Sequence, residues 1–157
     1  MESKKLVIFE SSKEEYGISV EHVISIEKLS ALTVLPEMPA YLKGVMKVRN
    51  ELIPVLDTKR ILFSDNLTVT DKTRLIVVQT SSISAGLLVE DAKEILDVQP
   101  EAMQELSMLA QHSTPYIKAM VNLESRLIAV LDPYTLIMNL ANITEIEEAV
   151  EKHKATN

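Results

Sequence analysis

The 157-residue chain contains no cysteine, no tryptophan and only three glycines. Without cysteine it can build neither a disulfide framework nor a thiolate metal site, which fits a reducing cytoplasm. Three glycines are too few for a phosphate-cradling loop, and neither GxGxxG nor the Walker pattern occurs. Aromatic residues make up 4% of the chain, so platforms for stacking bases are scarce. The formal net charge is −7, from 16 basic and 23 acidic side chains, and the basic ones do not cluster. That balance repels a phosphate backbone and argues against nucleic-acid binding. No apolar run approaches the roughly 20 residues of a membrane-crossing helix. Lys4 and Lys5 precede only four apolar residues, Leu6 to Phe9, too few for a secretory signal. The expectation is a cytoplasmic protein that is not membrane-inserted.

Signs of catalysis are equally sparse. His22, His112 and His153 are far apart, with no HxH or HExxH spacing, and no GxSxG elbow is present. The seven methionines scatter, and Met103 and Met108 read as packing. These absences predict no catalytic centre, no cofactor and no metal. They favour a binding module.

Apolar residues nevertheless make up 46% of the chain and charged residues 25%, enough for a packed core. The strongest positive signal is an internal repeat. YLKGVMKVRNELIPVLD, Tyr41 to Asp57, returns as YIKAMVNLESRLIAVLD, Tyr116 to Asp132, with seven identities in seventeen positions at an offset of 75. Upstream, LVIFESSKEEYGISVEHVISI, Leu6 to Ile26, aligns with LIVVQTSSISAGLLVEDAKEI, Leu75 to Ile95, at an offset of 69. Gly17 then falls on Gly86, Val20 on Val89, Glu21 on Glu90 and Ile26 on Ile95. The second half therefore carries six extra residues between Leu96 and Pro115, supplied by PEAMQELSMLAQHS and expected as a loop with a helical turn or two.

Each half reads as short strands: LVIF and LIVV, GISV and GLLV, VISI and EILDV. GVMKVR and LIPVLD form a hairpin with Asn50 and Glu51 in its tight turn, and the copy puts Ser125 and Arg126 there. Pro54 predicts an edge strand or a bend, because proline donates nothing to a ladder. Five strands per half and closely spaced turns predict a mainly β fold of two small barrels side by side, one from about residues 4–68 and one from 73–140.

Asp57 and Asp132 form a duplicated carboxylate pair, but helix capping is the stronger reading. DTKRIL and DPYTLI each follow a strand with an aspartate and open a helical pattern, with Pro133 at a first helical position. The tail predicts a C-terminal helix over 142–154 that packs on the barrels. Asn142 and Glu145 make a capping box, and Ile143, Ile146, Ala149 and Val150 make an apolar stripe.

YGISVEHVISI, LPEMPAYLKGVMKVRNELIPVLD, AGLLVEDAKEILDV and RLIAVLD, in this order and spacing, resemble the CheW family of bacterial chemotaxis adaptors from Lys5 to Leu140. The resemblance implies two SH3-like five-stranded β-barrels with a hydrophobic seam. It also implies a non-catalytic function: linking the cytoplasmic tip of a chemoreceptor to the regulatory domain of a CheA-like histidine kinase. Positions matching Val23, Ser25, Gly44, Arg49, Asn50 and Ala92 are implicated in the family in partner contacts or in shaping them, and Ile95 lies in the same repeated block. Two residues depart from the family pattern. Ser25 stands where an acidic partner of Arg49 is usual, leaving Glu27 on the same strand face as a substitute, and Asn50 stands where glycine is usual. Exposed aliphatic side chains rather than an ionic latch are expected to make the contacts. The alternatives are a receiver-less version of a CheW-like coupling protein, or a small-ligand-binding double barrel.

Overall fold

The computed structural model describes residues 3–80, 83–106 and 114–156. Among them the aliphatic runs form β1 (Lys4–Ser11), β2 (Glu14–Ser19), β3 (Val23–Lys28), β4 (Leu42–Val48), β5 (Glu51–Asp57), β6 (Arg74–Gln79), β7 (Ser84–Val89), β8 (Asp91–Val98), β9 (Met103–Glu105), β10 (Ile117–Leu123) and β11 (Arg126–Leu131). Three helices follow from the aspartate-led segments and the tail: α1 (Thr58–Phe63), α2 (Pro133–Met138) and α3 (Ile143–Thr156). The six-residue expansion contributes a short 3-10 turn, Pro100–Ala102, and then β9; Met108 and His112 lie outside the described residues.

The strands form two sheets, ordered β8-β1-β2-β11-β10-β9 and β3-β6-β7-β5-β4. Replacing each strand by its repeat mate converts the first five strands of one order into the other, as an approximate twofold requires. The sixth strand, β9, comes from the expansion. It pairs with β10 where the five-stranded sheet has only an isolated Thr33–Val45 bridge against β4. Each sheet, however, takes its two middle strands from the opposite half of the sequence. β1 and β2 join β8, β10 and β11, while β6 and β7 join β3, β4 and β5. The join within each sheet is a parallel pairing, β2 with β11 and β5 with β7. The halves 4–68 and 73–140 are therefore units of repetition, and neither builds a sheet by itself. Such an exchange keeps the repeat intact while burying both middle strands against partners distant in sequence. Among the described residues neither sheet closes by pairing its two edge strands.

Three apolar clusters follow from the alternation along the strands. Leu6, Ile8, Val98, Val121 and Ile128 fill the six-stranded sheet. Met46, Val48, Ile53, Val55, Leu75, Val77 and Leu88 fill the five-stranded one. The largest cluster lies between them, with Val7, Phe9 and Ile18 meeting Ile76, Val78 and Leu87. Phe9 is completely buried and stacks on Tyr16 at 5.5 Å; burial of a side chain this size contributes about 2–3 kcal/mol. Ile143, Ile146 and Val150 of α3 also join this cluster, as the apolar stripe predicted. The start of α3 differs from expectation. Asn142 has φ 65°, left-handed rather than the extended conformation of a capping-box residue.

Both aspartates cap their helices. Asp57 accepts from Arg60 N–H at 3.1 Å and Asp132 from Tyr134 N–H at 3.0 Å. Each also donates its own N–H to the repeated tyrosine: Asp57 to the Tyr41 carbonyl at 2.7 Å, Asp132 to that of Tyr116 at 2.8 Å. The hairpin turn lies one residue earlier than the sequence suggested. Val48 pairs with Glu51, leaving Arg49 (φ 50°) and Asn50 (φ 69°) in the turn. Positive φ at both positions is the type I′ pattern, whose twist matches that of the strands. The copy turns on Glu124 and Ser125, neither with positive φ. Pro54 is not on an edge, since β5 lies between β7 and β4. The ladder to β7 begins only at Val55, so at Pro54 the strand is paired to β4 alone.

Candidate functional site

β3 and β8 are repeat mates, and each is an edge strand of its sheet. Each contains a bulge at the same repeat position. On β3 the register against β6 shifts between Val23 and Ser25, skipping Ile24; on β8 the register against β1 skips Lys93. Residues three apart on a regular strand point to opposite faces, but a bulge between them restores a common face. Val23 and Ile26 therefore sit opposite Val78 and Ile76, and Ala92 and Ile95 sit opposite Phe9 and Val7. All four of these opposing residues belong to the cluster between the sheets.

This geometry places two aliphatic pairs, related by the repeat, along the seam. Val23 and Ala92 are half-buried and pack on the central cluster. Ile26 and Ile95 project further, with relative exposures of 41% and 61%. A shallow groove of about 150 Å³ runs between them, lined by Val7, Ile26, Arg74, Ala92, Glu94 and Ile95. Ile24 on β3 and Val20 in the turn before it add exposed apolar surface. Exposed aliphatic residues thus concentrate on a strand edge, which makes this seam the candidate site, because an unprotected apolar edge is otherwise an aggregation hazard.

The remaining residues singled out from the sequence are not in the seam. Gly44 is buried on β4 with φ 150°, and a Cβ there would lie 2.6 Å from the Thr33 carbonyl oxygen. Its role is to let that backbone approach. Arg49 and Asn50 are exposed at the hairpin tip. Ser25 faces the interior of the five-stranded sheet opposite Val77, and its buried hydroxyl has no hydrogen-bond partner. Glu27, on the same face, reaches Arg49 with 3.8 Å between Oε2 and Nε, so it occupies the substitute position. That arginine is 72% exposed, and such a pair contributes at most about 1 kcal/mol.

Sequence reasoning missed two participants. Ile26 is the repeat mate of Ile95, and the repeat could have found it. The sequence pattern places Arg126 in the turn. It begins β11 and its guanidinium grips Glu15 through Nε at 3.0 Å and Nη2 at 2.6 Å, while Nη1 reaches Glu94 at 2.9 Å. The hydrogen bond from Arg126 holds the Glu15 carboxyl below its ordinary pKa, against the opposing effect of burial. The same two carboxylates raise the guanidinium's pKa.

The double sheet with its repeated edge strands has known counterparts. The CheW-like domain model matches residues 5–149. This chain belongs to the CheW family. It is 31% identical over 130 residues to the chemotaxis protein CheW of Bacillus subtilis (strain 168), covering 82% of this chain and 83% of that one. The protein FrzA of Myxococcus xanthus is 35% identical over 74 residues, 47% of this chain and 46% of FrzA. The scaffolding protein TtCheW from Thermoanaerobacter tengcongensis has the same fold, with a TM-score of 0.76 at 23% identity, covering 86% and 88% of the two chains. CheW-family proteins are non-catalytic chemotaxis scaffolds, and this member has their mainly β two-sheet architecture. No helix among the described residues is long and apolar enough to cross a membrane.

Proposed function

We propose that this CheW-family protein is a cytoplasmic adaptor coupling the helical tip of a chemoreceptor to the regulatory domain of a CheA-like histidine kinase. The observation that carries the reading is the seam, where two bulged edge strands present Ile26, Ala92 and Ile95 toward one groove, with Val23 packed on the central cluster on the same face of β3 as Ile26. An elongated partner with an apolar stripe fits such a groove. The exposed parts of Ile26 and Ile95 supply about 1 kcal/mol each when covered, by the usual burial of an aliphatic side chain. The hairpin tip at Arg49 and Asn50 is the second contact region, joined to β3 through Glu27. Its weak pair makes it a rim, where charge sets encounter rate more than affinity.

Co-sedimentation with a receptor cytoplasmic fragment and with a kinase regulatory domain tests the assignment. Ile95→Glu is the informative variant, since Ile95 is mostly exposed and its replacement spares the core. Val23→Glu and Ala92→Glu burden the central cluster as well as the docking face. A charge desolvated without a partner costs several kcal/mol, so Ile95→Glu is expected to abolish receptor sedimentation with an unchanged melting temperature. Arg49→Ala and a rise to 150 mM salt are expected to weaken binding only modestly. Full binding by Ile95→Glu, or loss of most binding at 150 mM salt, refutes an apolar docking seam.

A further inference from the structure

We propose that Arg126 is a positioning residue for the seam, acting through Glu94 to hold the β8 wall of the groove; this rests on the docking role proposed above. Glu94 lies on β8 between the bulged Lys93 and the exposed Ile95. An edge strand has ladder bonds on one side only, so its outer portion is held by side chains. β8 has two such anchors. Lys93 reaches Glu10 at 3.0 Å, and Glu94 reaches Arg126 at 2.9 Å across both β1 and β2. Arg126 is in turn fixed by its two-pronged grip on Glu15 of β2, the strand next to its own. A planar fork fixed at one carboxylate presents its third nitrogen in a set direction, which a lysine cannot do.

Within this chain the repeat does not reproduce the pair. The mate of Glu94 is Ser25, whose hydroxyl is unpaired, and the mate of Arg126 is Glu51. The five-stranded sheet instead joins its hairpin to its edge strand by Arg49 and Glu27, at 3.8 Å. The mates of that pair are Glu124 and Leu96, which cannot form it. Each sheet thus has an arginine–glutamate tie from hairpin to edge strand, and the two are built from non-equivalent residues. The tie at the Ile95 wall is a single 2.9 Å bond from a guanidinium that Glu15 holds in place, while the tie at the Ile26 wall is 3.8 Å long and exposed. The groove accordingly has one fixed wall and one adjustable wall, and Arg126 sets the fixed one.

Arg126→Gln, Glu94→Gln and the double variant separate this role from general stabilisation. Glu94→Gln releases β8 while leaving the grip of Arg126 on Glu15 in place. Amide hydrogen exchange in β8 is expected to quicken several-fold in all three variants, with exchange in β6 and β7 unchanged. Binding of the receptor fragment, measured by calorimetry, is expected to weaken about fivefold, or ~1 kcal/mol. Arg126 does not line the groove, so an effect of equal size from either single variant, with the double variant no worse, identifies action through the pair. Unchanged β8 exchange overturns the proposal, as does faster exchange with unchanged affinity or an additive double variant. If the unaltered protein binds neither receptor nor kinase fragment, the docking role fails instead. The exchange result then decides by itself whether Arg126 orders the β8 wall.

Discussion

Gly44→Ala separates a residue that touches a partner from one that only shapes the fold. A methyl group at position 44 would sit 2.6 Å from the Thr33 carbonyl oxygen, a backbone atom that cannot swing aside. The conformation there, φ 150°, is itself one that residues other than glycine rarely adopt. To accept the methyl, the Thr33 segment must withdraw from β4, breaking the bonds Thr33 N–H to Val45 at 2.9 Å and Val45 N–H to Thr33 at 2.8 Å. Two backbone hydrogen bonds at about 1 kcal/mol each, plus about 1–2 kcal/mol of strain, make a loss of about 3–4 kcal/mol. In a domain of this size that is a fall in melting temperature of about 6–16 °C. Differential scanning calorimetry measures it directly. Receptor binding at a temperature where the variant is still folded should be nearly normal, because Gly44 is buried away from the seam. The second repeat provides the control: Ala119 occupies the matching position without strain, and Ala119→Gly should lose only about 0.5–1 kcal/mol. A melting shift below 1 °C for Gly44→Ala would refute the steric argument. Lost binding at an unchanged melting temperature would make Gly44 a contact residue after all.

Asn50→Gly should stabilise the protein by a few tenths of a kcal/mol to about 1, read from urea midpoints, since Asn50 already holds φ 69°; a loss of stability would contradict the turn type. Asp57→Ala should cost about 2–4 kcal/mol and Asp132→Ala about 1–2, because Asp57 is fully buried and accepts from the Leu67 N–H at 3.0 Å, ten residues on, whereas the further bonds of Asp132, from Thr135, stay within its own helical turn; equal losses in thermal melts would rule out burial and the Leu67 bond as the difference. Glu15 has a lowered folded pKa, so its contribution is complete above the ordinary carboxylate value of 4.5 and disappears as pH falls through the folded value. Stability measured between pH 6 and 3 should therefore decline more steeply in the unaltered protein than in Glu15→Gln, and parallel curves would exclude the Arg126 linkage.

Local chemistry was legible in the sequence wherever a short-range rule governs it. The aspartate caps need only the residue and the helix after it, and the β4–β5 hairpin needs only its flanking apolar runs. The turn was misplaced by one residue because Arg49 gives no sign of adopting positive φ; the register of Val48 with Glu51 imposes it. The exchange of β1–β2 for β6–β7 left no local trace, because either pairing buries the same aliphatic faces. The repeated block points to Ala92 and Ile95, but their shared face depends on a bulge at Lys93, a residue that looks regular in sequence. Arg126 was invisible for a related reason: its carboxylates lie 111 and 32 residues away along the chain.

The crossed strands also determine what happens to the chain if it is cut. A break in the connection between α1 and β6 would leave a first fragment whose β1 and β2 lack β8 and β11, and whose β5 lacks β7. The second fragment would be deprived in the mirror sense. Neither piece has a complete sheet to fold, yet each carries the strands the other needs, so the two should assemble on mixing as an enzyme's split reporter does. The duplication therefore bound its two products together: once the strands had crossed, neither copy could be lost, and the pair is inherited as a single cooperative unit.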